Sequence, residues 1–137
     1  VSQNPTIDEL EKSYLKENVT AFKIGDTIRV ETRIVEGEKE RIQAFTGIVV
    51  AKKGSGLSET FTLYRNAYGS SMERVFLLHS PRIAQLEVVR PGRVRRAKLT
   101  YLRGRTGKGT KIREQFVVAK PAVQAIEEAP SSETPQA

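Results

Sequence analysis

The chain has 137 residues with 23 basic and 16 acidic side chains, a formal net charge of +7, one histidine and no cysteine. That length holds one compact domain with extensions, and the missing cysteines exclude disulfides, thiolate metal sites and thiol redox chemistry. No apolar run approaches the roughly 18 residues of a membrane helix, and the basic excess points to a polyanionic partner.

The first five residues, Val-Ser-Gln-Asn-Pro, lack the basic-then-apolar pattern of an export signal. Thr6 followed by Glu9 fits a helix start, and Ile7, Leu10, Tyr14 and Leu15 recur at helical spacing. The spacing predicts an amphipathic helix over 7–17, its apolar stripe docked on the body of the protein. From Phe22 the period changes to two. Ile28, Val30, Thr32 and Ile34 alternate with polar residues between the turns Ile24-Gly25-Asp26 and Glu36-Gly37-Glu38. Arg41 to Lys52 forms the next strand, with Gly47 expected to mark a bulge or sharp bend. Phe61 and Leu63 define a third strand, with Thr62 and Tyr64 on its other face. After the turn Asn66-Ala67-Tyr68-Gly69, residues Met72, Val75, Phe76, Leu77 and Leu78 make a fourth, which His79-Ser80-Pro81 ends. Ile83, Leu86, Val88 and Val89 make the fifth. Five short strands at this spacing predict a mainly β fold, a small antiparallel barrel or sandwich.

The fifth strand runs into residues 90–113, where ten positions are Lys or Arg and none is Asp or Glu. These are Arg90, Arg93, Arg95, Arg96, Lys98, Arg103, Arg105, Lys108, Lys111 and Arg113. A one-sign run repels itself unless an anion lies beside it, and nucleic acid is the commonest polyanion. Leu99 and Leu102 are expected to face the body from a short helix over Arg95–Arg103. Gly104, Gly107 and Gly109 then predict a loop or extended arm reaching outward. Lys52, Lys53, Arg65, Arg74 and Arg82 are secondary candidates for RNA contact. Tyr64, Tyr68 and Tyr101 are candidates for stacking on bases, with core or turn packing the favoured reading of each. Residues 117–137 hold Pro121, Pro130 and Pro135, carry only acidic charge after Lys120, and read as a disordered tail.

Catalytic chemistry leaves little trace. His79 beside Ser80 reads as a strand-end cap and not as half of a triad. Gly104 to Lys111 fails the phosphate-loop pattern, because Thr110 stands where the lysine is required. No catalytic residue, cofactor or metal is expected.

Several linked segments together resemble one family, the bacterial-type large-subunit ribosomal protein nineteen. They are Phe22-Lys-Ile-Gly-Asp-Thr, Val35 through Val50, Glu73-Arg-Val-Phe, His79-Ser-Pro and Arg95-Arg-Ala-Lys-Leu-Thr-Tyr-Leu-Arg. The resemblance covers about residues 6–115, with Thr100 where the family usually has tyrosine. It implies an SH3-like barrel over 21–90, an N-terminal helical extension over 1–20 and a basic RNA-binding extension over 91–116. It further implies a structural, non-enzymatic role in the cytoplasmic ribosome, or in that of an organelle of bacterial descent. The implied partners are large-subunit rRNA, small-subunit rRNA at inter-subunit bridges, and large-subunit proteins three and fourteen. The alternative is a free regulator with an SH3-like or oligonucleotide-binding barrel.

Overall fold

The computed structural model describes residues 4–115, so the expected disorder of 117–137 lies outside them. Helix α1 spans Pro5–Tyr14 and begins earlier than the Thr6 signal suggests. Asn4 caps it, its side chain accepting from the Thr6 N–H at 3.2 Å, and Pro5 sits in the first turn where an N–H is not needed. The expected docking of its stripe does not occur. No α1 side chain is buried, and Ile7, Leu10 and Tyr14 remain 45%, 57% and 71% exposed. The helix rests mainly beside a single 3-10 turn at Gly56–Ser58, too small a surface to cover the stripe.

Five antiparallel strands follow: β1 (Thr27–Glu36), β2 (Lys39–Lys53), β3 (Thr60–Ala67), β4 (Ser70–Leu77) and β5 (Ile83–Arg90), in the sheet order β4-β3-β2-β1-β5. The long β2 pairs with β1 through Lys39–Ile48 and with β3 from Ile48 onward, so it changes partners midway and the sheet coils. A register shift lies between Val49 and Ala51, not at Gly47. Gly47 instead permits a close approach of two strands. A Cβ there would stand 2.8 Å from the Tyr64 carbonyl oxygen, so only glycine lets the backbones come this near.

The alternation read from the sequence places Ile28, Val30, Phe61 and Leu63 in one core with Phe22, Phe45, Val49, Phe76, Leu78 and Ile83. Phe61 stacks on Phe76 at 5.5 Å between centroids, and Phe22 meets Phe61 edge-on at 5.2 Å. Both edges of the sheet feed this core, yet among the described residues no ladder joins β4 to β5: the mainly β antiparallel fold expected is present, and its sheet is not closed into a barrel. The chain between these edges has committed its hydrogen bonds elsewhere. Leu78 N–H donates to Glu59 O, Ser80 N–H to Leu77 O and Ile83 N–H to Ser80 O, while Pro81 has no donor. A strap over residues 16–20 lies along the outer side of β5. His79 Nδ1 accepts from the Lys16 N–H at 3.1 Å, Lys16 Nζ donates to Ile83 O at 2.7 Å, and the Thr20 hydroxyl donates to Leu86 O. Burial pushes the Lys16 ammonium down from the ordinary lysine range.

The sheet also has a second apolar face. Val50, Ala51 and Tyr64 pack there against Leu99 and Leu102 from the basic segment, with Val94, Tyr101 and Ile112 around them. Leu99 and Leu102 are 0% and 1% exposed. We expect Leu99→Ala to cost about 2–5 kcal/mol in urea denaturation, as for other fully buried leucines, whereas Leu10→Ala on α1 should shift stability by no more than about 0.5 kcal/mol.

Candidate nucleic-acid interface

The basic segment is fixed to the body at three places. At its start, the carboxylate of Asp26, only 6% exposed, accepts from the Gly92 N–H at 2.8 Å through Oδ1 and from the Lys23 N–H at 2.7 Å through Oδ2. The two backbones touch here: a Cβ on Gly92 would lie 2.1 Å from Gly25 O, and one on Gly25 would lie 2.6 Å from Val94 Cγ1. In the middle, Leu99 N–H donates to Val50 O at 3.0 Å and its side chain enters the second face. At its end the chain turns back. Strand β6 (Gly92–Arg93) pairs antiparallel with β7 (Arg113–Glu114), and Gln115 N–H donates to Pro91 O at 3.0 Å. The segment is therefore a closed loop tied at both ends, the loop of the two expected forms and not an extended arm.

The short helix expected over Arg95–Arg103 is also absent. Only one 3-10 turn forms, at Thr100–Leu102, followed by a second at Gly107–Thr110. The Leu99 N–H is committed to the sheet, and Arg95 and Lys98 at helical spacing would stack like charges. Leu99 and Leu102 still face the body, as the pattern predicted, through the sheet contact and the 3-10 turn.

All ten cations of the segment are exposed. Arg90 pairs with Glu114 at 3.3 Å, and Arg103 makes a two-pronged contact with Glu73 of β4, its Nη2 at 2.8 Å from Oε2. That carboxylate raises the Arg103 guanidinium above its already high value. Among the described residues, no carboxylate lies within ion-pair distance of the other eight. Tyr101 is half-buried, with the Arg105 and Arg96 guanidinium carbons 5.0 Å and 5.7 Å from its ring centre. Tyr64 lies beneath the segment, 3% exposed. Neither ring has a free face of the kind base stacking needs. Of the secondary candidates, Lys52 pairs with Glu59 at 3.1 Å and lies over Phe22. Lys53 and Arg82 are exposed, and Arg65 and Arg74 lie on the β3–β4 hairpin.

The model of the family described as "Ribosomal protein L19" matches residues 5–115, nearly the whole described chain. The chain belongs to the ribosomal protein L19 family. It is 54% identical over 116 residues to the large ribosomal subunit protein bL19 of Protochlamydia amoebophila, covering 85% of this chain and 86% of that one. It is also 54% identical over 110 residues to bL19 of Microcystis aeruginosa, covering 80% and 92%. The family is one of ribosomal structural proteins and not of enzymes.

Within this L19-family fold, one pairing stands against the free chain's own stability. Arg93 and Arg113 are directly opposite across β6 and β7, and like charges so placed repel. The sequence displays both arginines but not their register, which depends on the loop closing. Asp26 was legible only as a turn residue, since its hydrogen bond from Gly92 joins positions 66 residues apart. Arg113→Glu would place opposite charges across this pair. The expected outcome is a free chain more stable by a few tenths to about 1 kcal/mol in thermal unfolding.

Proposed function

We propose that this ribosomal protein acts in the large subunit as a structural binder of ribosomal RNA, its basic loop neutralising crowded phosphates. The observation that carries this reading is the set of eight exposed cations without an acidic partner among the described residues, two of them held face to face. A fold that spends buried leucines and a buried carboxylate to present uncompensated charge has assembled a surface for an anion. Guanidinium dominates the part nearest the sheet (Arg93, Arg95, Arg96), and its planar fork suits phosphate oxygens. Phosphate contacts of this kind position a protein on RNA without reading sequence, which agrees with a structural role.

The family resemblance supports the finer placement. We infer a site near the subunit interface, where the chain supports bridges to small-subunit RNA and neighbours large-subunit proteins three and fourteen. On this reading the open sheet serves as the rigid base that aims the loop. A free nucleic-acid-binding regulator is the competing reading. Co-sedimentation with large subunits after a high-salt wash separates the two, since an integral component stays bound and a regulator washes away.

The salt dependence of RNA binding tests the loop directly. Replacing Arg93, Arg95 and Arg96 together by Gln should reduce the slope of log affinity against log salt by roughly 0.7–0.9 per lost contact, about 2–3 in all. An unchanged slope would mean these side chains do not face phosphate.

A further inference from the structure

The geometry points to a second RNA contact at the tip of the β3–β4 hairpin, where the Tyr68 ring stacks on an unpaired base and Arg65 holds an adjoining phosphate. This rests on the RNA reading above and adds a base-stacking site to a phosphate-neutralising loop.

Tyr68 is 103% exposed and has φ +54°, the one positive φ among the described non-glycine residues. Ala67 pairs with Ser70, so Tyr68 and Gly69 (φ +76°) form a two-residue turn with both central residues left-handed. Such turns favour Asn-Gly, because an L side chain other than Asn or Asp is strained there. Neither turn geometry nor packing accounts for a tyrosine at this position. The backbone is held in a disfavoured region while the ring gains no burial, a pattern typical of functional positions. The adjoining residues Ala67, Gly69, Ser70 and Ser71 are small, which leaves both ring faces open. With Tyr64 buried and Tyr101 covered by guanidinium groups, Tyr68 is the ring among the three candidates that can take a base.

The charge nearest the tip fits a nucleotide. Arg65 lies opposite Met72, two pairs back from the Ala67–Ser70 pair that closes the turn. Among the described residues Arg65 has no ion-pair partner, whereas Arg74 lies over the Phe76 ring at 5.2 Å, away from the tip. Glu73, the one acid between Arg65 and Val75, points to the opposite face and is engaged by Arg103. A guanidinium group without a carboxylate partner among the described residues and a terminal aromatic ring match a base and its adjoining phosphate.

The chain has no tryptophan, so Tyr68→Trp in the full chain gives a single emitter at the tip. Titration with protein-free large-subunit ribosomal RNA should quench that emission, while Tyr14→Trp on α1 should change little. Tyr68→Asn should melt no lower than the parent, because asparagine suits the turn, yet bind RNA about 5- to 150-fold more weakly; Tyr68→Phe should bind as the parent does. A tip tryptophan unchanged by RNA that the chain demonstrably binds would overturn this inference and leave the loop reading standing. Quenching that appears only when other subunit proteins are added would also overturn it. Failure of the parent chain to bind RNA at all would instead remove the proposed function, and this inference with it.

Discussion

The burial of Leu99 and Leu102 against Val50, Ala51 and Tyr64 opposes the mutual repulsion of the cations on either side of them. Two charges about 8 Å apart in water repel by about 0.5 kcal/mol, and less in salt. Each buried leucine contributes about 1.5–3 kcal/mol. The apolar term therefore outweighs several such repulsions, and the segment can stay folded on the sheet without an anion. Removing either leucine would leave the repulsion and take away what opposes it.

The architecture around this contact follows from it. A sheet that carried one core could expose its other face. Here the alternation in β3 sends Phe61 and Leu63 to one side and Tyr64 to the other, and both sides are apolar. The register shift between Val49 and Ala51 accompanies the same change in β2, with Val49 in the first cluster and Val50 and Ala51 in the second. Asp26 then fixes where the segment leaves the sheet, and β6 with β7 fixes where it returns. The charged side chains are left pointing outward because every inward position is already filled.

Much of this was legible before any coordinates. The strands announced themselves by period two in Ile28, Val30 and Thr32 and by the turns between them, and Leu99 and Leu102 stood out as the apolar residues able to anchor a basic run. Features that need distant partners were not legible. The open edge of the sheet depends on the strap over 16–20, whose Lys16 and Thr20 side chains donate to Ile83 O and Leu86 O of β5, which no local pattern records. The helix over 95–103 lost to a tertiary hydrogen bond from Leu99, and the α1 stripe found no surface to dock on. Among the candidate cations the sequence ranked all ten alike, whereas the fold engages Arg90 and Arg103 with carboxylates that lie far away or arrive only by loop closure.

The central claim is that the fold holds this loop's free guanidinium groups ready for RNA phosphates. A structure of the assembled large subunit, resolved well enough to see side chains, tests it most directly. The account predicts phosphate oxygens about 2.7–2.9 Å from the guanidinium nitrogens of Arg93, Arg95, Arg96 and Arg113. A loop surrounded by solvent, or one whose arginines meet only protein carboxylates, would contradict it.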